Sequence, residues 1–235
     1  TPSQDIEAVI CARPSLDVRR VSGWGTCKIY HDINKVREAA TEMLKDKERF
    51  KDCPNYQHDI ADVVRQTLTD STYYLIKDIA ASYEKKDMEA FKAQYTTFLG
   101  ILGDLNRLLS QVGLFRLEKW TSSARNICDE VPGTTEADRD WMEWNARTLI
   151  TVWGPEQCAE KGKLHDYSSR QWGGMLNDFY LARWEMFFKA LEEGKTISSP
   201  EWFKWEENWT RSKTITKVAE ENPVDVACEL YDKYF

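Results

Sequence analysis

Apolar residues recur along this chain with the spacing of helices almost from end to end, and the exception is at the beginning. Residues 1–31 carry Pro2, Pro14, Gly23 and Gly25, which interrupt any helix, so an extended leader is expected there. Within it, Ala8-Val9-Ile10-Cys11 reads as a short strand or a packed arm. Then Ile33, Val36, Ala40, Met43 and Leu44 fall on one face of a helix. A longer one is predicted from Asn55 to Glu84, with the stripe Tyr56, Ile60, Val63, Val64, Leu68, Tyr74, Leu75 and Ile79, after a break at Cys53-Pro54. Asp87 opens a third, carrying Met88, Phe91, Tyr95, Phe98, Leu99, Leu102, Leu105 and Leu109. Its mid-helix Gly100 and Gly103 suggest close approach by a neighbouring helix.

A fourth helix is predicted from Leu114 to Cys128, with Leu117, Trp120, Ala124 and Ile127 inward. Val131-Pro132-Gly133 is a turn. Thr135 followed by Asp138 has the form of a capping box and opens a helix through Trp141, Trp144, Thr148 and Val152, which stops at Gly154-Pro155. A loop holding Lys161, Gly162 and Lys163 leads to a long helix from His165 to Glu193. Ser199-Pro200 and Asn222-Pro223 mark two further helix starts. The fold expected is therefore all-α, a multi-helix bundle of about eight helices over residues 32–235 behind the leader. No segment recurs at the period of a solenoid repeat.

Charge narrows the possibilities. With 39 Asp and Glu against 32 Lys and Arg, the formal net charge is −7, the wrong sign for a general nucleic-acid binder. No apolar run approaches the roughly 20 residues that cross a bilayer, so no membrane insertion is expected. The chain opens at Thr1 without Met, as a mature form or an excised piece would. Six cysteines show no CxxC pair and leave the redox compartment open. Three scattered histidines, His31, His58 and His165, give no metal cluster, and no cofactor loop of the GxxxxGK or GxGxxG kind is present. Asn208-Trp209-Thr210 is a formal glycosylation acceptor at chance frequency.

Ten Trp, ten Tyr and nine Phe are the unusual entry in the composition. They can seal helix contacts, or some can line a carbohydrate pocket, where the C–H face of a sugar packs on indole. Glu201, Glu206 and Glu207 near Trp202, Trp205 and Trp209 invite an acid/base reading. An amphipathic helix with an acidic outer face is the simpler one.

The stretch from Asn145 to Phe188 stands apart. Trp153-Gly154-Pro155 ends one helix, a polar loop follows, and Asp166-Tyr167 leads into the next. Trp153 and Tyr167 at the two ends of one loop aim both rings at the same outside space. That suits a shallow pocket wall, with helix-end packing as the alternative.

This stretch, with its Asn-x-Arg, Trp-Gly, Asp-Tyr, Arg-Gln, Leu, Tyr and Arg-Trp, resembles the C-terminal helical domain of the α-N-acetylglucosaminidases, glycoside hydrolase family 89. Arg13-Pro14-Ser15-Leu16 is similar to the segment that follows that family's catalytic barrel, and Val224-Asp225 with Tyr231-Asp232-Lys233-Tyr234 extends the likeness to the end. The resemblance implies a retaining exo-hydrolase of terminal, non-reducing α-linked N-acetylglucosamine. Its two catalytic glutamates lie in the barrel, upstream of this chain, so no catalytic residue is expected here. It implies two partners, the protein's own barrel and the glycan, and an exported location, periplasmic or secreted in a bacterium and lysosomal in an animal. By the same resemblance Trp153, Tyr167 and Leu164 match contributors to the sugar pocket. Arg13, Arg147, Arg170 and Arg183 are expected to be structural, paired with carboxylates or carbonyls. The alternative is a free-standing helical binding or scaffold domain with no hydrolase attached.

Overall fold

The computed structural model describes residues 7–23 and 25–235; Pro2, with the rest of residues 1–6, and Trp24 lie outside the described residues of the expected leader. Nine α-helices follow the leader among the described residues: α1 Ile33–Lys45, α2 Lys47–Phe50, α3 Pro54–Glu84, α4 Met88–Leu109, α5 Leu117–Asn126, α6 Glu136–Leu149, α7 Ala182–Glu192, α8 Ser199–Thr210 and α9 Pro223–Tyr234. No strand occurs among them, and a single bridge joins Arg116 to Gly173. The all-α expectation holds.

At about 46 Å, the 31-residue α3 is the axis. It packs lengthwise on α4, the partner that a three-residue turn folds back against it, and on α1 and α9. Pro54 stands at its first turn and Cys53 takes the cap position, two residues before the expected Asn55. The Asp87 side chain accepts from Ala90 N and starts α4. Between α4 and α7, Phe91, Phe98, Trp184 and Phe188 form a ring cluster with centroids 4.8–6.0 Å apart. Helices α5 and α6 pack as a hairpin, and α8 lies on α6.

The leader is a packed arm. Val9–Cys11 forms one buried 3₁₀ turn on α3, where Trp184 Nε1 donates to the Ile10 carbonyl at 3.0 Å. Gly100 and Gly103 have neighbours in Tyr234 and Leu181, but an added Cβ would meet them at 3.7 and 3.9 Å, ordinary contact distances. Close approach therefore does not require glycine at either position.

Three predicted helices are shorter than the periodicity suggested, the one opened by Thr135 ending at Leu149, before Val152 and Gly154-Pro155. The fourth begins at Leu117, after a 3₁₀ turn at Gly113–Phe115, and Ile127 is 53% exposed instead of inward. Trp120 is also partly exposed, its ring held by a bond from Nε1 to the Ala146 carbonyl at 2.9 Å. Trp141, one of the residues that marked the next helix, is 58% exposed. The long helix expected from His165 begins only at Leu176, as a π-helical turn Leu176–Leu181 that continues into α7. The cause lies outside the segment. Gly173 is clamped to the start of α5, donating to Phe115 O at 2.7 Å and accepting from Leu117 N at 3.0 Å. Gly174 then takes φ +89°, and the Asn106 side chain of α4 accepts from Gly174 N (2.7 Å) and Asn177 N (3.3 Å). A cap supplied from another helix fixes the start, which local periodicity cannot reveal.

Candidate functional site

The capping box predicted at Thr135 is present: Asp138 N donates to Thr135 Oγ1, while Asp138 Oδ2 accepts from Thr135 N. It sets α6, whose far end builds the site. The Thr148 carbonyl accepts from both Thr151 N (3.2 Å) and Trp153 N (2.8 Å), and Trp153 turns left-handed at φ +66°. The chain leaves through Gly154-Pro155 into a π-helical turn, Gln157–Lys161, closed at Gly162, where a Cβ would sit 2.5 Å from the Cys158 carbonyl oxygen. It comes back through Lys163 (φ +54°), Asp166 (φ +57°) and Ser169 (φ +45°).

Two bonds pinch the loop at its base. Asp166 N donates to Thr151 O at 2.6 Å, and Ser168 Oγ donates to Ile150 O at 2.9 Å. Trp153 and Tyr167 are thereby brought together, ring centroids 5.3 Å apart and 65° between planes, with 38% and 46% of their surfaces exposed. An edge-to-face pair held open to solvent presents one indole face and one phenol to an incoming molecule. Leu164 is half-buried in the same turn, its carbonyl accepting from Tyr167 N at 3.2 Å. Four non-glycine residues in the left-handed region within 17 positions hold strain of roughly 1–3 kcal/mol each, which the surroundings must over-determine.

Those surroundings are a chain of charges. Arg183 of α7 is buried, and its Nη1 donates to Asp166 Oδ2 (2.9 Å) and Glu206 Oε1 (2.7 Å) while Nη2 donates to the Cys11 carbonyl (2.9 Å). Glu206 of α8 also receives Arg13 of the leader, Nη2 to Oε2 at 2.7 Å. The other side of Arg13 holds Glu160 of the loop at 2.8 Å, and Ser199 donates to the same carboxylate. Burial pushes the Asp166 carboxyl up, but Arg183 and His165 outweigh it and hold it below the usual range. Burial likewise pushes Glu160 up, but the hydrogen bonds from Arg13 and Ser199 outweigh it and hold the carboxyl below its usual value. Arg13 and Arg183 therefore have the structural role expected of them, and Arg147 pairs with Glu143 at 3.0 Å. Arg170 is exposed, over the Trp172 ring at 5.6 Å.

Glu206 corrects the sequence reading. It belongs to the buried network and not to an acidic outer face. The spacing held the signal: Trp202, Glu206 and Trp209 lie at i, i+4 and i+7, so Glu206 sits on the apolar stripe of α8. Asp166 was likewise invisible as an anchor, because its partner is 17 residues away on another element. Among the described residues no group of three His, Cys, Asp or Glu could hold a metal ion, and no helix is long and apolar enough to cross a membrane.

Against known proteins, a model of the alpha-N-acetylglucosaminidase (NAGLU) C-terminal domain matches residues 2–233. The human alpha-N-acetylglucosaminidase is 25% identical over 228 residues, spanning 93% of this chain and 29% of that protein. A family 89 glycoside hydrolase from Clostridium perfringens, solved in complex with PUGNAc, superposes with a TM-score of 0.88 at 31% identity, over 97% of this chain and 27% of that one. A structure of the enzyme from the same organism, in complex with its substrate GlcNAc-alpha-1,4-galactose, gives 0.86 at 31% identity over 96% and 26%. The chain thus spans less than a third of the length of these relatives.

Proposed function

Because this chain belongs to the family of alpha-N-acetylglucosaminidase C-terminal domains, we propose that it closes one side of the sugar pocket of a family 89 glycoside hydrolase. The whole protein is a retaining exo-hydrolase that removes terminal, non-reducing α-linked N-acetylglucosamine. Its two catalytic glutamates belong to a barrel domain in the remaining length, and residues 1–31 are the connection between that barrel and helical domain 32–235. Two carboxyl groups about 5–5.5 Å apart would carry the double displacement there.

The role of this chain is recognition. Trp153 offers an indole face to the apolar C–H side of the pyranose, Tyr167 offers a hydroxyl donor, and Leu164 contributes apolar contact. The observation that carries this reading is the exposed Trp153–Tyr167 pair on a pinched, strained loop. Strain concentrated there, in a chain otherwise built of regular helices, fits a site that positions a ligand. The relatives support the same reading, since the clostridial enzyme was solved with a GlcNAc-terminated disaccharide as its substrate.

The test is hydrolysis of p-nitrophenyl N-acetyl-α-glucosaminide by the full-length protein and by this chain alone. Turnover by the long form only is expected. Full-length Trp153→Ala and Tyr167→Ala should each lose roughly ten- to a hundredfold in kcat/KM, the worth of about 1.4–2.8 kcal/mol of binding. Near-wild-type values in both would remove the pair from the pocket.

A further inference from the structure

A groove of about 530 Å³, within the range of small-molecule sites, lies between α6 and the turn that follows α8. Its wall is a second pair of indoles. Trp141 and Trp144 sit with ring centroids 6.3 Å apart and 51° between planes, and more than half of Trp141 is open to solvent. The Arg211 guanidinium caps Trp144, 5.2 Å from its ring, so Trp141 is left as the open platform.

The charges that face the groove are balanced. Asp140 accepts from Lys213 Nζ (2.5 Å) and Arg125 Nη1 (2.8 Å), and Glu143 from Arg125 Nη1 (3.1 Å) and Arg147 Nε (3.0 Å). Arg211 Nη2 donates to Glu207 Oε1 at 3.3 Å. Donors remain at the rim. Arg211 keeps Nε and Nη1, Lys213 keeps two of its three hydrogens, and Ser212 Oγ, which accepts from Thr214 N at 3.1 Å, keeps its own. A ring platform, spare donors and no unbalanced charge complement a neutral saccharide, whose C–H face packs on indole while its hydroxyl oxygens accept at the rim.

We propose that this groove is a second, non-catalytic saccharide site, with Trp141 as its platform and Arg211 and Lys213 as its polar contacts. It stands apart from Trp153 and Tyr167. Ser199, at the start of α8, adjoins Arg13 and Glu160 beside the pinched loop, whereas Thr210, at the other end of α8, lines the groove. Eleven residues of helix separate the two, about 16 Å. A barrel that closes over the first end therefore leaves the second open to solvent. A protein with both sites holds a glycan at one point while its terminal unit is cut at another. Only this last role rests on the hydrolase reading; the chemistry of the groove does not.

Lactose and N-acetyllactosamine are neutral disaccharides without a terminal α-linked N-acetylglucosamine, so the pocket does not cut them. Saturation-transfer NMR titration of the full-length protein should show at least one of them bound. The affinity should survive Trp153→Ala, fall at least tenfold in Trp141→Ala and fall by a smaller factor in Arg211→Gln. Trp141→Ala should leave the melting temperature and kcat/KM for p-nitrophenyl N-acetyl-α-glucosaminide unchanged. No binding of either disaccharide by the wild type would overturn the site. So would binding lost in Trp153→Ala and kept in Trp141→Ala, or tighter binding of a sulfated disaccharide. Disaccharide binding without turnover of the aryl glycoside would overturn the hydrolase and leave the groove standing.

Discussion

Arg183 Nη1 lies 2.9 Å from Asp166 Oδ2, and neither side chain reaches solvent. The residue beside this buried pair, Tyr167, is half of the candidate recognition surface, so the ion pair and the site share a backbone. Asn tolerates the left-handed φ of position 166, so Asp166→Asn removes charge without adding backbone strain. Breaking a buried pair costs about 3–5 kcal/mol, and Glu206 remains to hold part of Arg183. A loss of about 3 kcal/mol lowers the melting temperature by about 6–12 °C in a domain of this size, which differential scanning calorimetry would read.

Acid should unpick the same network. The carboxyls of Asp166 and Glu160 lie below their ordinary values of 3.8 and 4.5. A group depressed in the folded state contributes stability that is present above its unfolded pKa and lost as pH falls through the folded one. The melting temperature is expected to change little between pH 7 and about 5 from this source and to fall below about 4. Asp166→Asn should show a shallower acid limb than the wild type; parallel limbs would assign the acid sensitivity to other groups.

Left-handed residues separate stability from function. Lys86 follows the end of α3 at φ +60°, exposed and in the position where glycine is favoured. Lys86→Gly should stabilise by about 1 kcal/mol, raising the melting temperature by about 2–4 °C. Trp153→Gly relieves the same kind of strain and keeps the bond from residue 153 N to Thr148 O, so the fold should survive it. Hydrolysis should nonetheless fall as far as in Trp153→Ala, a combination that thermal melts and kcat/KM measured side by side would reveal.

Thiol labelling gives an independent check on packing. Burial pushes Cys11 and Cys27 up to about 12, whereas Cys53 is exposed. Iodoacetamide at pH 8 should modify Cys53 first in the native protein, and Cys11 and Cys27 only after denaturation, as peptide mass spectrometry would show. Early labelling of Cys11 would mean that the leader detaches from α3.

Most helices could be read from the sequence because their signals are local. Periodic stripes gave α3 and α4 to within a residue or two, and the Thr135–Asp138 box gave the start of α6. The segment from His165 to Met175 misled because its conformation is imposed from a distance, by Asn106 and by the clamp of Gly173 on α5. The site divides the same way. Trp153 and Tyr167 stand at the two ends of one recognisable loop, and a short loop must bring its ends together. Glu206 and Arg13 are 193 residues apart, and only the expectation that Arg13 is structural, paired with a carboxylate or carbonyl, hinted at such a contact.

That separation also has a meaning in time. A ribosome making this chain releases Arg13 long before Glu206, and at about 5–20 residues per second the interval is about 10–40 s. Only in the last part of that interval, about 2–8 s, does the α6–α7 loop exist without the α8 carboxylate that later bridges Arg13 and Arg183, and Trp153 and Tyr167 then lack part of the frame beneath them. The candidate recognition wall thus matures only after the α8 segment has been made, and a chaperone or protease acting before then would meet it unfinished.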